Sequence, residues 1–202
     1  MWPAQKEEAQ DWIRQRLAGF AFDGRAGDIP WRVAGAKQRP AAVLVPLVWH
    51  EAGPTVLLTR RTESLSTHAG QVSFPGGKVD EGDSSVIAAA LREAEEEIGL
   101  AQEQVVVLGT LPQYVTITDF VVTPVVAMLQ PPLQLRPEPG EVAEVFEVPL
   151  TLALDGRQYE KHSYVRDGVQ GQYLAMQWQH YTIWGATAAM LRLLSQALQQ
   201  AV

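Results

Sequence analysis

Three glutamates, Glu93, Glu96 and Glu97, fall close together in the segment from Ala89 to Leu100, which reads AALREAEEEIGL. On a helix, side chains three or four positions apart are neighbours, so Glu93 faces both Glu96 and Glu97. Each like-charged pair of that kind costs roughly 0.2–0.5 kcal/mol. The carboxylates also crowd the last turns, where the macrodipole is negative and cations are preferred. A helix written this way is locally unfavourable on both counts. Such a cluster is either a solvated acidic face or a site for a divalent cation. In the second case hard oxygen ligands from adjacent turns converge on one point, and Mg²⁺ takes one or two carboxylates while keeping positions for phosphate oxygens. Glu95 falls elsewhere on the helix, toward solvent. Arg92, inside the cluster, can pair with Asp83 or with a neighbouring glutamate, or be an ordinary surface ion pair.

The helix that carries these residues is expected from about Ser84 to Ile98, with Asp83 as N-cap and Gly99 as its stop. Its apolar stripe is Ile87, Leu91, Ala94 and Ile98, set apart from the glutamates. Ahead of it, residues 61–77 form a long polar loop with one short strand candidate, Gln71 to Phe74, ending in Pro75, Gly76 and Gly77. Backbone without side chains can approach a ligand closely there, and loops of this length are often functional. Ala41 to Trp49 and Thr55 to Arg60 read as a hairpin about the turn Glu51 to Pro54. Further strands are expected over Val105 to Leu111 and Phe120 to Met128, followed by a Pro-rich turn from Pro131 to Pro139. A second hairpin, Gln158 to Val165 and Val169 to Trp178, flanks Arg166, Asp167 and Gly168. An amphipathic helix at about 5–18, with Ala9, Trp12, Ile13 and Leu17 on one stripe, opens the chain and packs outside the main sheet; a helix from Thr187 to Leu198 closes it. Hairpins predominate over regular βα alternation, so the fold class is α/β of the α+β type. The layout is a mixed sheet flanked by helices, in one domain over 1–202.

Composition narrows the chemistry. The 202 residues carry 16 basic against 23 acidic side chains, a formal charge of -7, with 47% apolar residues and no cysteine. Zinc thiolate sites, cysteine nucleophiles and disulfide frameworks are excluded. The longest apolar stretches, Ala41 to Trp49 and Val121 to Leu129, each contain a proline and are far shorter than the roughly 18 residues of a membrane span. The first residues, rich in Lys, Glu and Asp, lack the apolar core of a signal peptide, so a cytoplasmic setting is expected. An acidic balance argues against a nucleic-acid partner, which would need clustered Lys and Arg. A small anionic ligand needs only a local positive patch or a bound cation.

These residues resemble the Nudix hydrolases, whose signature runs G, five residues, E, seven residues, R-E, apolar, x, E-E, x, G, apolar. Arg92, Glu93, Ala94, Glu96, Glu97, Gly99 and Leu100 match its second half. The first half departs: counted back from Arg92, Ser84 and Lys78 stand where glutamate and glycine belong, whereas counting from Gly77 reaches Asp83 with one extra residue. The box, about 77–100, is similar to that of the branch that cleaves coenzyme A, with Asp83 in the usual glutamate's place as partner of Arg92. The upstream pattern of that branch is also similar, with Leu57, Leu58, Thr59, Arg61, Gly70, Phe74, Pro75, Gly76 and Gly77 in register. Thr62 replaces a small Ser or Ala and Ser66 replaces an arginine. LPQYVTITDFVVTPVVA, EVAEVFEVPL and IWGATA extend the likeness over about 41–194.

The resemblance implies a Nudix α/β/α sandwich and Mg²⁺- or Mn²⁺-dependent hydrolysis of a pyrophosphate bond. It implies Glu93 and Glu97 as main metal ligands, Glu96 as a further ligand or the base that orients water, Arg92 as their anchor, and the Gly77 carbonyl completing the shell. Substrate contacts would be Arg60, Arg61 and Lys78, with Phe74 as a pocket wall; each of these has an ordinary surface or core role as its alternative. Glu141 or Glu144 would be a more distant general base, or solvent-facing. Coenzyme A, or its acyl derivatives, would yield 3′,5′-ADP and 4′-phosphopantetheine. Another nucleoside diphosphate derivative such as ADP-ribose or NADH, and a non-catalytic nucleotide-binding module, are the alternatives. A homodimer is compatible with the sequence.

Overall fold

The computed structural model describes residues 2–22, 26–27, 39–65, 67–166 and 169–200. Two of its strands set the frame. Strand β2 (Arg39–Val48) lies parallel to β8 (Phe120–Leu129) along its whole length, from Arg39 opposite Phe120 to Val48 opposite Leu129. Both read as nearly unbroken apolar runs, which is what strands covered on both faces require. Their side chains alternate between two cores: Ala42, Leu44, Val48, Val125, Ala127 and Leu129 face one, and Ala41, Val45, Leu47, Val122, Val126 and Met128 the other.

Around this pair the described residues form a nine-stranded mixed sheet. β1 (Ala26–Gly27) pairs in parallel with β7 (Tyr114–Val115), and β6 (Val105–Thr110) and β7 both run antiparallel to β8. On the other side β3 (Thr55–Arg61) meets β2, β4 (Val72–Ser73) and β9 (Val142–Pro149). The expected hairpin of β2 and β3 forms only at its turn, as Leu47 opposite Val56 and Val48 opposite Thr55. Pairing stops beside Pro46, which has no N–H to donate. Beyond that point β5 (Gly76–Lys78) takes the place next to β2, opposite Ala41 to Val43, while β3 pairs from end to end with β9. Glu141 to Leu150, to which hydrophobic period alone assigns no element, supplies β9. The two parted strands leave the opening in which the site is built.

Helix α2 (Val86–Ile98) covers one face of the sheet. Helices α1 (Lys6–Gly19) and α4 (Gly185–Gln199) belong to the core on the other face, so α1 lies outside the main sheet as its stripe of Ala9, Ile13 and Leu17 requires. The layers are therefore helix, mixed sheet, helix, as expected. The short helix α3 (Leu150–Ala153) follows β9. The second expected hairpin is β10 (Glu160–Arg166) with β11 (Val169–Trp178), extended by β12 (Tyr181–Trp184) into a separate three-stranded sheet. Asp167 and Gly168, expected at its turn, lie outside the described residues. No helix among the described residues is long and apolar enough to cross a membrane.

Two features of α2 differ from expectation. The N-cap is Ser85, whose hydroxyl accepts from the Ala88 N–H at 3.1 Å; Asp83 is drawn away toward Arg92. The buried face is centred on Ala89, Ala90, Ala94, Glu97 and Ile98, with Ile87 and Leu91 only partly covered. Alanines let the helix axis approach the sheet, and the helix is accordingly turned so that Glu97 points inward while Glu96 stays outside. A larger residue on that face cannot be accommodated without moving the helix. Ala94→Leu is expected to lower stability by about 1–3 kcal/mol, checked by chemical denaturation of the metal-free protein.

Candidate active site

Strand β5 fixes the floor of the site. Leu44 N–H donates to the Pro75 carbonyl at 2.9 Å and Val79 N–H to the Pro40 carbonyl at 3.1 Å. Antiparallel alternation then makes Ala42 and Gly77 the hydrogen-bonded pair between them, with the polar backbone groups of Gly77 turned toward β2. Gly76 and Lys78, one step to either side, face the other way. The Gly76 N–H donates to Glu97 Oε2 at 3.1 Å, and the Lys78 carbonyl accepts from Arg92 Nη2 at 3.1 Å. The carbonyl expected from Gly77 is therefore committed to the ladder, and it is Gly76 whose carbonyl faces α2.

Gly76 is required by the backbone beside it, and Gly77 by the place of the Glu93 carboxylate. A Cβ on Gly76, whose φ is +153°, would stand 2.4 Å from the Ala42 carbonyl oxygen. A Cβ on Gly77 would stand 2.4 Å from a carboxylate oxygen of Glu93. The absent side chain at 77 is thus the cradle in which the Glu93 carboxylate lies.

Arg92 organises the outer side of the helix. Its Nε and Nη2 donate to the two oxygens of Asp83, each at 3.0 Å, the bidentate geometry that suits a guanidinium. Nη1 donates to Glu93 Oε1 and to Glu96 Oε2, both at 3.0 Å. Asp83, buried beneath this contact, is held below the usual carboxylate range first by Arg92 and then by the Asp80 N–H, and Arg92 is driven further up its basic range. Asp83 thus fills the place of the signature glutamate as partner of Arg92. The repulsion written into the sequence is relieved because one cation binds two of the three glutamates and a buried aspartate.

The three glutamates are not equivalent. Glu96 is 60% exposed and bonded outward to Arg92. Glu93 is half-buried, and burial raises its pKa against the pull of Arg92. Glu97 is 5% exposed, and burial pushes its pKa up to about 7 in spite of the Gly76 N–H and Arg61, whose Nη1 lies 3.6 Å from Oε1. Among the described residues no three acidic or histidine side chains converge tightly enough to hold an ion by themselves. Glu93, Glu97 and the Gly76 carbonyl together fit a hard divalent cation: they are oxygen donors around a site short of positive charge, and a cation would reverse the burial cost of both carboxylates.

The remaining candidates separate. Arg60 and Arg61 are adjacent on β3 and take opposite faces of the sheet. Arg61 meets Glu97, whereas Arg60 meets Glu144 at 3.4 Å and Glu63 at 3.7 Å. Glu144 also accepts from the Tyr181 hydroxyl, so both Arg60 and Glu144 stand away from the carboxylate pair. Glu141 stays on the α2 side, where its charge bears on both Glu93 and Glu97. Phe74 is 2% exposed and belongs to the core on the far face; it is a packing residue and not a pocket wall. The Lys78 side chain is exposed at the site's edge. Thr62 is buried, its hydroxyl donating to the Gly140 carbonyl at 3.2 Å, and its N–H donates to the Glu141 carbonyl at 3.0 Å. Ser66 lies outside the described residues.

A contribution that motif spacing does not announce comes from the segment after β8. The Gly99 C-cap adopts φ 66°, and two carbonyls that the end of α2 leaves open, those of Ile98 and Glu97, accept from Arg136 N–H at 2.7 Å and Glu138 N–H at 2.8 Å. Leu133 and Leu135 pack beside it. The Pro-rich segment is therefore the seat of the helix end that bears Glu97.

Residues 38–167 match the family model of the NUDIX domain. The chain is 48% identical, over 155 residues covering 77% of it and 80% of the relative, to the Uncharacterized Nudix hydrolase NudL of Cronobacter sakazakii. It is 45% identical over 161 residues, 80% of this chain and 86% of the relative, to the protein of the same name from Photorhabdus laumondii. Among solved structures it is similar to RenU, a Nudix hydrolase from M. Smegmatis, at 28% identity over 66% of this chain and 76% of that one, with a TM-score of 0.48.

The raised value of Glu97 has a direct consequence for stability. Below about pH 4.5, its ordinary value, the carboxyl is protonated in folded and unfolded chains alike. As pH rises to about 7 the unfolded chain ionises first, and stability falls. Glu97→Gln removes this loss. In chelator the variant is expected to match wild type near pH 4 and to exceed it by ~2–3 kcal/mol at pH 8, measured by urea unfolding. A gap independent of pH would contradict the assignment.

Proposed function

The chain belongs to the Nudix hydrolases, and from that premise we propose that it cleaves the pyrophosphate bond of coenzyme A or its derivatives, releasing 3′,5′-ADP and 4′-phosphopantetheine or its acyl form. Hydrolysis at a pyrophosphate bond is the family's chemistry, its substrates are small nucleotide derivatives, and Nudix hydrolases generally use divalent metal ions such as Mg²⁺ or Mn²⁺. Coenzyme A is the finer reading. The observation that carries it is the joined motif: Leu57, Leu58, Thr59, Arg61, Gly70 and Phe74 to Gly77 stand in register ahead of Arg92 to Leu100, with the one-residue longer connection taken up by Asp83. The contact of Arg61 with Glu97 supports it by bringing the two halves of that motif to one opening.

Attack on a pyrophosphate has to bring water through a shell of negative oxygens, so catalysis is mainly positioning and charge neutralisation. A bound divalent ion supplies the neutralising charge and lowers the pKa of water. Glu93, Glu97 and the Gly76 carbonyl are the donors we assign to it. To Glu96, solvent-facing and held by one bond to Arg92, we assign the orienting of water or the taking of its proton. Arg92 keeps Glu93 and Glu96 in fixed directions, and Arg61 and Lys78 offer positive charge to the substrate's phosphates.

A second reading is a Nudix enzyme for another nucleoside diphosphate derivative. It is favoured by one departure from the motif, Ser66 in place of an arginine that would suit a 3′-phosphate. Product analysis after incubation with coenzyme A, acetyl-coenzyme A, ADP-ribose and NADH, each with Mg²⁺, Mn²⁺ or chelator, separates the two. Metal-dependent 3′,5′-ADP with little turnover of ADP-ribose and NADH is the expected result; preferential cleavage of either of those would move the specificity. Glu97→Gln should lower kcat by roughly 10²–10³-fold while the fold persists in circular dichroism, and undiminished turnover would remove Glu97 from the site.

A further inference from the structure

Two arginines address the same carboxylate cluster, and they are held in opposite ways. Arg92 is saturated, with five hydrogen bonds at 3.0–3.1 Å. Arg61 is not. Its Nη1 approaches Glu97 Oε1 at 3.6 Å, an ion contact longer than the roughly 2.7–2.9 Å of a charge-assisted hydrogen bond. Its Nε is buried and makes no hydrogen bond. The backbone around it is fixed: Arg61 N–H donates to the Gln71 carbonyl at 3.0 Å and Thr62 N–H to the Glu141 carbonyl at 3.0 Å. The strand thus aims the guanidinium at Glu97 without giving it a closed set of partners. A buried carboxylate that already accepts the Gly76 N–H is left with one loosely attached positive charge.

We propose that Arg61 is a placeholder counter-ion: it occupies the charge deficit at Glu97 in the metal-free protein, competes there with a divalent cation, and turns to the pyrophosphate oxygens of the substrate once Glu97 is given over to that cation. This rests on the metal-site reading above and adds a role for Arg61 on the metal side of the site. The geometry separates the role from that of its neighbour, because Arg60 meets Glu144 and Glu63 on the opposite face, away from Glu97. It also separates it from Arg92, whose five bonds leave it no freedom to exchange partners. A charge within a few ångströms of a dication site, in a half-buried cleft of low effective dielectric, raises the dissociation constant of the ion by at least several-fold. The same charge released toward a phosphate lowers KM.

The test is Mn²⁺ binding to the full chain without substrate, followed by electron paramagnetic resonance of free Mn²⁺ at pH 8. Wild type, Arg61→Met, Arg61→Gln, Arg61→Lys and Glu97→Gln are compared, each checked for folding by circular dichroism. Both uncharged replacements of Arg61 should bind Mn²⁺ about tenfold tighter than wild type, while Arg61→Lys stays within about threefold. With substrate, Arg61→Met should raise KM more than it lowers kcat. Unchanged or weaker Mn²⁺ binding in Arg61→Met and Arg61→Gln, together with weakened binding in Glu97→Gln, overturns the placeholder and leaves the metal site standing. Wild-type Mn²⁺ binding by Glu97→Gln overturns the metal-site reading itself and the placeholder with it.

Discussion

A carboxylate turned into the protein is the constraint from which the rest of the site follows. Glu97 lies on the buried side of α2, against the strand formed by Gly76 to Lys78, where an unpaired negative charge is costly. Three local answers meet it: a backbone N–H from Gly76, a loosely held guanidinium from Arg61, and a proton that the residue keeps to about pH 7. Once the proton leaves, the other two do not close the deficit. The helix approaches the sheet through alanines and the strand approaches the helix through glycines, so the charge is trapped at a depth that neither element could reach with larger side chains.

Arg92 handles the other half of the same problem. Glu93 and Glu96 would repel Glu97 and each other on a bare helix, and the macrodipole would add to the repulsion. A guanidinium that donates to both, and to a buried aspartate behind them, turns the repulsion into a fixed arrangement. Since Asp83 turns both oxygens to Arg92, the residue expected to cap the helix is already engaged, and Ser85 caps it instead. A local choice of cap is thus set by the chemistry of the site.

Much of this was legible in the sequence, and the reasons for the remainder are physical. The period of the apolar residues marks α1, α2 and α4, because a helix that covers a sheet has to show a stripe. The glutamate spacing marks the site, because like charges at three and four positions are a conflict that something has to resolve. What one chain's pattern does not carry is rotation and direction. The apolar stripe of Ile87 and Leu91 suggests that all three glutamates point away from the core; the small volume of Ala90 and Ala94 instead lets the helix turn Glu97 inward. The choice between the Gly76 and Gly77 carbonyls depends on which residue of β5 pairs with Ala42, a matter of register. Phe74 looks like a wall only until the far face of the sheet is known to be a second core. The support of Arg136 and Glu138 is carried by backbone N–H groups, which leave no trace in side-chain type.

The parting of Arg60 and Arg61 across the sheet has an evolutionary side. Side chains that are neighbours in the chain but separated by the thickness of a strand belong to different environments and answer to different selective pressures. Arg60 sits in a cluster with Glu144 and Tyr181, where the three-stranded sheet meets the main one, while Arg61 looks toward the carboxylates. Drift in the surroundings of the first can reshape how the smaller sheet is seated without disturbing the charges of the second. A shift of β3 by a single residue would turn each of them to the opposite face. Register, more than the presence of two arginines, therefore decides which charge reaches the carboxylates.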